Sequence, residues 1–171
     1  RRQRQMCIRD SSDIPFSPYK LGISMFLAEL LSYATRHEQA NGSLYLFIQD
    51  SIEWLDHARG SIGNFHIVFM IQLSFHLGFM PNIESGMTGD YFDLVDGCFV
   101  AHVPSHVHYL NKEDSVRLVS LFRLEYKTMH LYTMSRMERN RCVEVILEYY
   151  KLHLPGFPEM KSFAVLQELF A

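Results

Sequence analysis

Residues 135–157 read SRMERNRCVEVILEYYKLHLPGF, and this stretch decides the fold. Ser135 followed three residues later by Glu138 is an S-x-x-E capping box, which satisfies orphan backbone donors at a helix start. Leu154-Pro155-Gly156-Phe157-Pro158 stops the same helix, so it is predicted over about 136–153. Cys142 falls within one of its faces and is read as a core residue rather than a nucleophile.

Working outward, Asn111 with Asp114 makes a capping pair ahead of Val116, Val119, Phe122 and Tyr126, which predicts a helix over about 112–130. On the other side, Phe163, Val165, Leu166, Leu169 and Phe170 predict a last short helix. Three more helices precede these. Ser17-Pro18 supplies an N-cap and a first-turn proline, and Leu21, Met25, Leu27, Leu30, Leu31 and Ala34 keep helical spacing to about Gln39. Asn41-Gly42 stops that helix, Ser43 can cap the next, and Leu44, Phe47, Ile48, Ile52 and Leu55 form its stripe to about Ala58. Beyond Gly60-Ser61, the segment from Phe65 to Leu77 is apolar on nearly every side, as the central helix of a bundle must be.

Between Pro81 and Pro104 the pattern changes. Tyr91-Phe92-Asp93-Leu94 and Cys98-Phe99-Val100-Ala101-His102 flank Val95-Asp96-Gly97, the signature of two short strands joined by an Asp-Gly turn. The expected fold class is therefore mainly α, a bundle of about six helices with a small β-hairpin insertion at about 81–104.

The chain has 171 residues, enough for one sizeable domain. Sixteen Lys and Arg against nineteen Asp and Glu leave a net charge of −3, so any affinity for DNA must come from a local patch. Cys7, Cys98 and Cys142 are far apart with no C-x-x-C pair, which gives neither a disulfide framework nor a four-thiolate metal site and fits a reducing cytoplasm. The most membrane-like stretch, 62–80, is interrupted by Asn64, His66, Gln72, Ser74 and His76 and reads as a buried helix.

Catalytic signatures are absent. No G-x-S-x-G turn, P-loop or G-x-G-x-x-G occurs. His102, His106 and His108 could in principle ligate a transition metal, but their spacing matches no strong zinc pattern. Asp90, Asp93 and Asp96 lack the alternation and distal Glu of a calcium loop. No metal or other cofactor is expected. What remains is positive charge on helices: Arg117, Arg123 and Lys127 on the fourth, and Arg136, Arg139 and Arg141 at the start of the fifth. Arginines at a helix start oppose the macrodipole, which argues for a specific use.

Read together, these pieces resemble the C-terminal helical domain of the RecO family of bacterial DNA repair proteins, in its Bacteroidetes form. The resemblance covers nearly the whole chain. It is carried by Ile14-Pro15-Phe16 leading into Leu27-Ala28-Glu29-Leu30-Leu31, by Asn64-Phe65-His66, by Leu77-Gly78-Phe79-Met80-Pro81-Asn82, by Tyr91-Phe92-Asp93-Leu94 and Gly97-Cys98-Phe99-Val100, and above all by 136–150 with Leu152 to Phe157. Many members of that family place four cysteines around the hairpin to hold zinc; only Cys98 stands there in this chain, so no metal site carries over.

The resemblance implies a small OB-fold domain ahead of the helical one. Residues 1–14 are then expected to be the remnant of the link to it, and 15–171 the helical domain. It also implies a non-enzymatic recombination mediator of the cytoplasm and nucleoid, whose partners are RecR, the acidic C-terminal tail of single-stranded-DNA-binding protein (SSB) and single-stranded DNA. That tail needs a cation beside an apolar groove. The expected place is where Arg117, Arg123 or Lys127 adjoins a cleft between helices, with Arg136, Arg139 and Arg141 as the second choice. A purely structural interaction module and a metal-dependent enzyme using the three histidines are the competing readings.

Overall fold

The structure is a computed structural model that describes residues 13–84 and 90–169. Residues 1–12 of the expected linker, Gly86 and Gly89 of the insertion, and Phe170 of the last helix lie outside the described residues. The elements run α1 (Pro18–Ala34), α2 (Gly42–His57), α3 (Phe65–His76), β1 (Tyr91–Asp93), β2 (Cys98–Val100), β3 (Tyr109–Leu110), α4 (Lys112–Phe122), α5 (Arg136–His153) and α6 (Ser162–Leu169), with 3-10 turns at Ile14–Phe16 and Met129–Leu131. This is the mainly α bundle with a small β insertion that the sequence predicts.

The helix starts follow capping chemistry. Ser17 accepts from the Lys20 amide, Asn111 from Asp114, and Ser135 from Glu138 with the reciprocal Glu138 bond in place. Asn41, read from sequence only as part of a stop signal, is itself the cap of α2 and accepts from Leu44. Two helices are shorter than predicted. α1 ends at Ala34, where the Thr35 hydroxyl turns back onto the Leu31 carbonyl at 2.7 Å and residues 36–39 offer no apolar side chain to bury. α4 ends at Phe122, because the chain must leave the helix to lay Tyr126 flat against Phe65, with ring centroids 4.7 Å apart.

The insertion is larger than a hairpin. β1 pairs antiparallel with β2 (Phe92 opposite Phe99) and on its other edge with β3 (Phe92 opposite Leu110), giving the order β2-β1-β3. The segment carrying His102 to His108, expected as loop alone, leads straight into this third strand. Phe92, Leu94 and Leu110 pack onto Leu118 of α4 and Val145 and Tyr149 of α5, which fixes the sheet to the bundle.

The main core runs through α1, α2, α3 and α5, with Phe26, Leu30, Phe65, Phe69, Val143 and Tyr150 fully enclosed. Ile14, placed by the sequence reading in the linker, is buried in it. Asp56 accounts for this: its Oδ1 accepts from the amides of Asp13 and Ile14, while the buried Lys20 ammonium donates to the Asp56 carbonyl at 2.7 Å. At the other end, Glu29 of α1 accepts from the amides of Lys161 and Ser162 and from the Ser162 hydroxyl, capping α6 from outside its own sequence. Among the described residues, no helix is long and apolar enough to cross a membrane.

Gly97 closes the β1–β2 turn at φ +63°, and a Cβ there would stand 2.7 Å from the Tyr149 hydroxyl oxygen. That hydroxyl donates to the Phe79 carbonyl at 2.8 Å. Gly97→Ala is therefore expected to combine left-handed strain with the loss of this bond and to destabilise the chain by about 2 kcal/mol, read as a shift of the urea midpoint. An unchanged midpoint would show that the turn does not govern how the sheet is attached.

Candidate partner-binding surface

The two helices that carry the sequence-predicted basic residues separate them into distinct roles. At the start of α5 the capping box already occupies the helix N-terminus: Glu138 accepts from the Ser135 amide at 2.8 Å, and Ser135 accepts from the Glu138 amide at 3.2 Å. The Ser135 amide, then its hydroxyl, hold the Glu138 carboxyl below the usual range. An incoming anion here must be held by side chains, not by backbone donors.

Arg139 faces inward. Its Nε donates to Asn64 Oδ1 at 3.2 Å and its Nη2 to the Met134 carbonyl at 3.2 Å. Asn64 is buried and completes the node by donating to the carbonyls of Met129 and Tyr132 at 3.0 and 2.7 Å. Gly63 leaves room for the guanidinium, since a Cβ there would lie 3.3 Å from Nη2. Burial depresses the Arg139 pKa from its very high ordinary value. This arginine ties the start of α3 to the α4–α5 connection and is spent on the fold.

Arg136 and Arg141 stay at the surface, on an opening that Gln167 of α6 also lines. With Met137, Asn140, Glu144 and Gln167 they line an open trench of about 670 Å3. Met137 is 79% exposed. Among the described residues, no ion pair engages Arg136, and Arg141 makes a single loose one with Asp114 at 3.7 Å.

Arg117 of α4 stands at the rim of a neighbouring cleft floored by Leu118, Leu121, Cys142 and Val145, and Arg141 lines that cleft too, so that Arg117 and Arg141 share Asp114. The apolar cleft expected beside Arg117 exists, but it offers about 20 Å3, room for one water and not for a side chain. Arg117 is also surrounded by carboxylates, with Glu138 at 3.3 Å, Glu113 at 3.8 Å and Asp114 at 3.9 Å. Burial pushes the Cys142 thiol at the cleft floor up to about 11, so it stays protonated and unreactive. Arg123, at the C-cap of α4, and Lys127, in the following turn, are exposed and line neither the trench nor the cleft.

The structure thus brings Arg136 and Arg141 together on the trench, joins Arg141 to Arg117 through Asp114 at the neighbouring cleft, and separates Arg139, Arg123 and Lys127. Sequence reasoning misses Met137, Asn140 and Gln167. The interruption of an arginine run by an exposed methionine is the one signal the chain offers; Gln167 comes from α6 and has none.

The histidines stand apart from this surface. His106 Nε2 lies 3.1 Å from Asp93 Oδ2, and His108 Nδ1 lies 2.7 Å from Glu148 Oε1, so each pins the approach to β3 against β1 or α5. Asp93 spends its other oxygen on the amides of Val95 and Asp96 in the hairpin turn. Among the described residues, no three His, Cys, Asp or Glu side chains are placed to share a metal ion.

A curated relative from Phocaeicola vulgatus, named DNA repair protein RecO, is 48% identical over 92% of this chain and 66% of its own length. A relative of the same name from Bacteroides fragilis is 46% identical over 93% of the chain and 66% of its own length. One from Porphyromonas gingivalis is 33% identical over 92% and 65%. The chain therefore spans just under two thirds of the length of these relatives. No solved structure matches it. The family model described as recombination protein O C terminal matches residues 15–162, from the proline after the buried Ile14 to the first residue of α6, and the chain belongs to that family.

Proposed function

We propose that this chain is the helical part of a DNA repair protein that acts as a recombination mediator, moving single-stranded DNA between partners without making or breaking a covalent bond. Within that role it helps RecA replace SSB on single-stranded DNA and promotes annealing, in company with RecR. The observation that carries the reading is the trench between α5 and α6, joined to membership of the RecO family. An acidic peptide ending in apolar residues, such as the SSB tail, finds there two guanidiniums with at most one loose partner and the exposed thioether of Met137. The Arg117 cleft is the weaker site on two counts, its three carboxylates and its lack of room.

The test is fluorescence anisotropy of a labelled SSB-tail peptide against the chain and its Arg136→Gln/Arg141→Gln variant. At least a tenfold loss of affinity is expected. Thermal stability should change by less than about 1 kcal/mol, because exposed ion pairs contribute little. Unchanged binding in the variant would overturn the assignment, and loss of folding would show the arginines to be structural. A second reading, an interaction module with no DNA contact of its own, is favoured by the net charge of −3. It predicts no salt-dependent binding of single-stranded DNA.

A further inference from the structure

The outer face of α2 and α3 carries a second opening, which shares no lining residue with the trench. The two helices run antiparallel: Ser43 meets His76 at one end, and Trp54 stacks on Phe65 at the other with centroids 5.6 Å apart. Between these ends lies an open groove of about 420 Å3. Phe47 stacked on His76, with centroids 4.5 Å apart, forms one wall, and Trp54 stacked on Tyr126 at 5.2 Å forms the other. Asp50 and Gln72 stand between them.

Three features make this a built surface. Tyr126 is locked in place, its hydroxyl donating to Ser51 at 2.8 Å while its ring stacks on Phe65. Large apolar side chains are left exposed on both helices about one turn from lining residues: Leu46, four residues before Asp50, is 57% exposed, and Phe75, three residues after Gln72, is 64% exposed. The third feature is charge. Asp50 is the one carboxylate in the lining, no lysine or arginine lines the groove, and no ion pair engages Asp50 among the described residues.

We propose that this groove docks an amphipathic helical segment of a partner protein that sets one arginine or lysine between apolar residues. From Ser43 to Trp54 the groove follows three turns of α2, the length over which such a segment presents its i, i+3, i+4 and i+7 anchors. Its apolar residues cover Leu46 with Phe75 at one end and the Trp54–Tyr126 face at the other. The cation between them meets Asp50, with an aromatic face on either side. Aromatic faces also stack nucleobases, but a lone carboxylate midway repels the phosphates that a single strand would bring. The site is separate from the α5–α6 trench, so it stands or falls independently of the tail assignment.

Trp54 is the only tryptophan of the chain, so its emission reports occupancy of this groove directly. The probes are two twelve-residue helical peptides with leucines at the anchor positions and either Arg or Glu at the central one, together with oligothymidylate. The Arg peptide is expected to change Trp54 emission with at least tenfold higher affinity than the Glu peptide. Asp50→Lys, at an exposed position with an unchanged far-ultraviolet spectrum, should reverse that order while leaving SSB-tail binding as it was. Equal affinity for the two peptides, no response to either up to millimolar concentration, or oligothymidylate displacing the Arg peptide would each overturn the proposal.

Discussion

Asn64→Leu is expected to cost the fold about 3 kcal/mol, the largest effect of any single substitution considered for this chain. Asn64 is buried and makes three side-chain hydrogen bonds, to the carbonyls of Met129 and Tyr132 and from the Arg139 guanidinium. Leucine keeps the volume and removes all three. Met129 retains a bond from the Tyr132 amide at 3.3 Å, so that carbonyl is partly compensated. The Tyr132 carbonyl is not, and Arg139 loses its Nε bond while keeping that of Nη2 to the Met134 carbonyl; an unsatisfied buried group costs roughly 1–3 kcal/mol. Urea unfolding would give the number, and a double-mutant cycle with Arg139→Met should return a coupling of at least about 1 kcal/mol. Additive losses would mean that Arg139 does not work through Asn64.

Acid should weaken the fold earlier than carboxylate titration alone would. His66 on α3 is fully buried, and burial, then the positive charge of Arg139, bring its pKa down from 6.5 to about 3. The folded chain thus holds His66 neutral where the unfolded chain takes up a proton. Its contribution to stability is complete above pH 6.5 and is lost as the pH falls toward 3, by roughly tenfold in the folding equilibrium per pH unit.

Glu29 acts in the same direction but below its ordinary value of 4.5: burial pushes its carboxyl up, and the bonds from Ser162 and Lys161 outweigh that and lower it. Between pH 6.5 and 5 the slope therefore belongs mainly to His66. Urea midpoints over that range should fall steadily in the parent chain and flatten in His66→Leu. A flat parent profile would contradict the neutral, enclosed state of His66.

The parts of the fold written in local chemistry are legible in the sequence. Ser17-Pro18, Asn111 with Asp114, and Ser135 with Glu138 mark helix starts because a cap and its partner lie within four residues, and each cap bond forms as expected. Helix ends are less legible, because tertiary demand sets them. Nothing local in Glu125 to Thr128 says that Tyr126 must leave helical geometry to reach Phe65 and Trp54. β3 gives no signal of its own because two residues cannot show alternation.

The surface divides in the same way. Composition points to arginines on α4 and α5, but only packing distinguishes Arg139, held by Asn64 from 75 residues away, from Arg136, which meets no carboxylate among the described residues. The trench also needs Gln167 of α6, and that contact follows from the docking of α6 on α1 at Gly22, where a Cβ would run into Leu169.

Recognition of an acidic protein tail through Arg136 and Arg141, rather than a grip on DNA over the whole surface, is the role proposed for this domain. The most direct test is anisotropy of the chain against a labelled SSB-tail peptide and a labelled single-stranded oligonucleotide, each over a salt series from about 50 to 200 mM. The predicted result is peptide binding that weakens modestly with salt, as two charge contacts require, beside weak binding of the oligonucleotide. Tight oligonucleotide binding with a steep salt slope, and no binding of the peptide, would contradict it and make the arginines a phosphate surface.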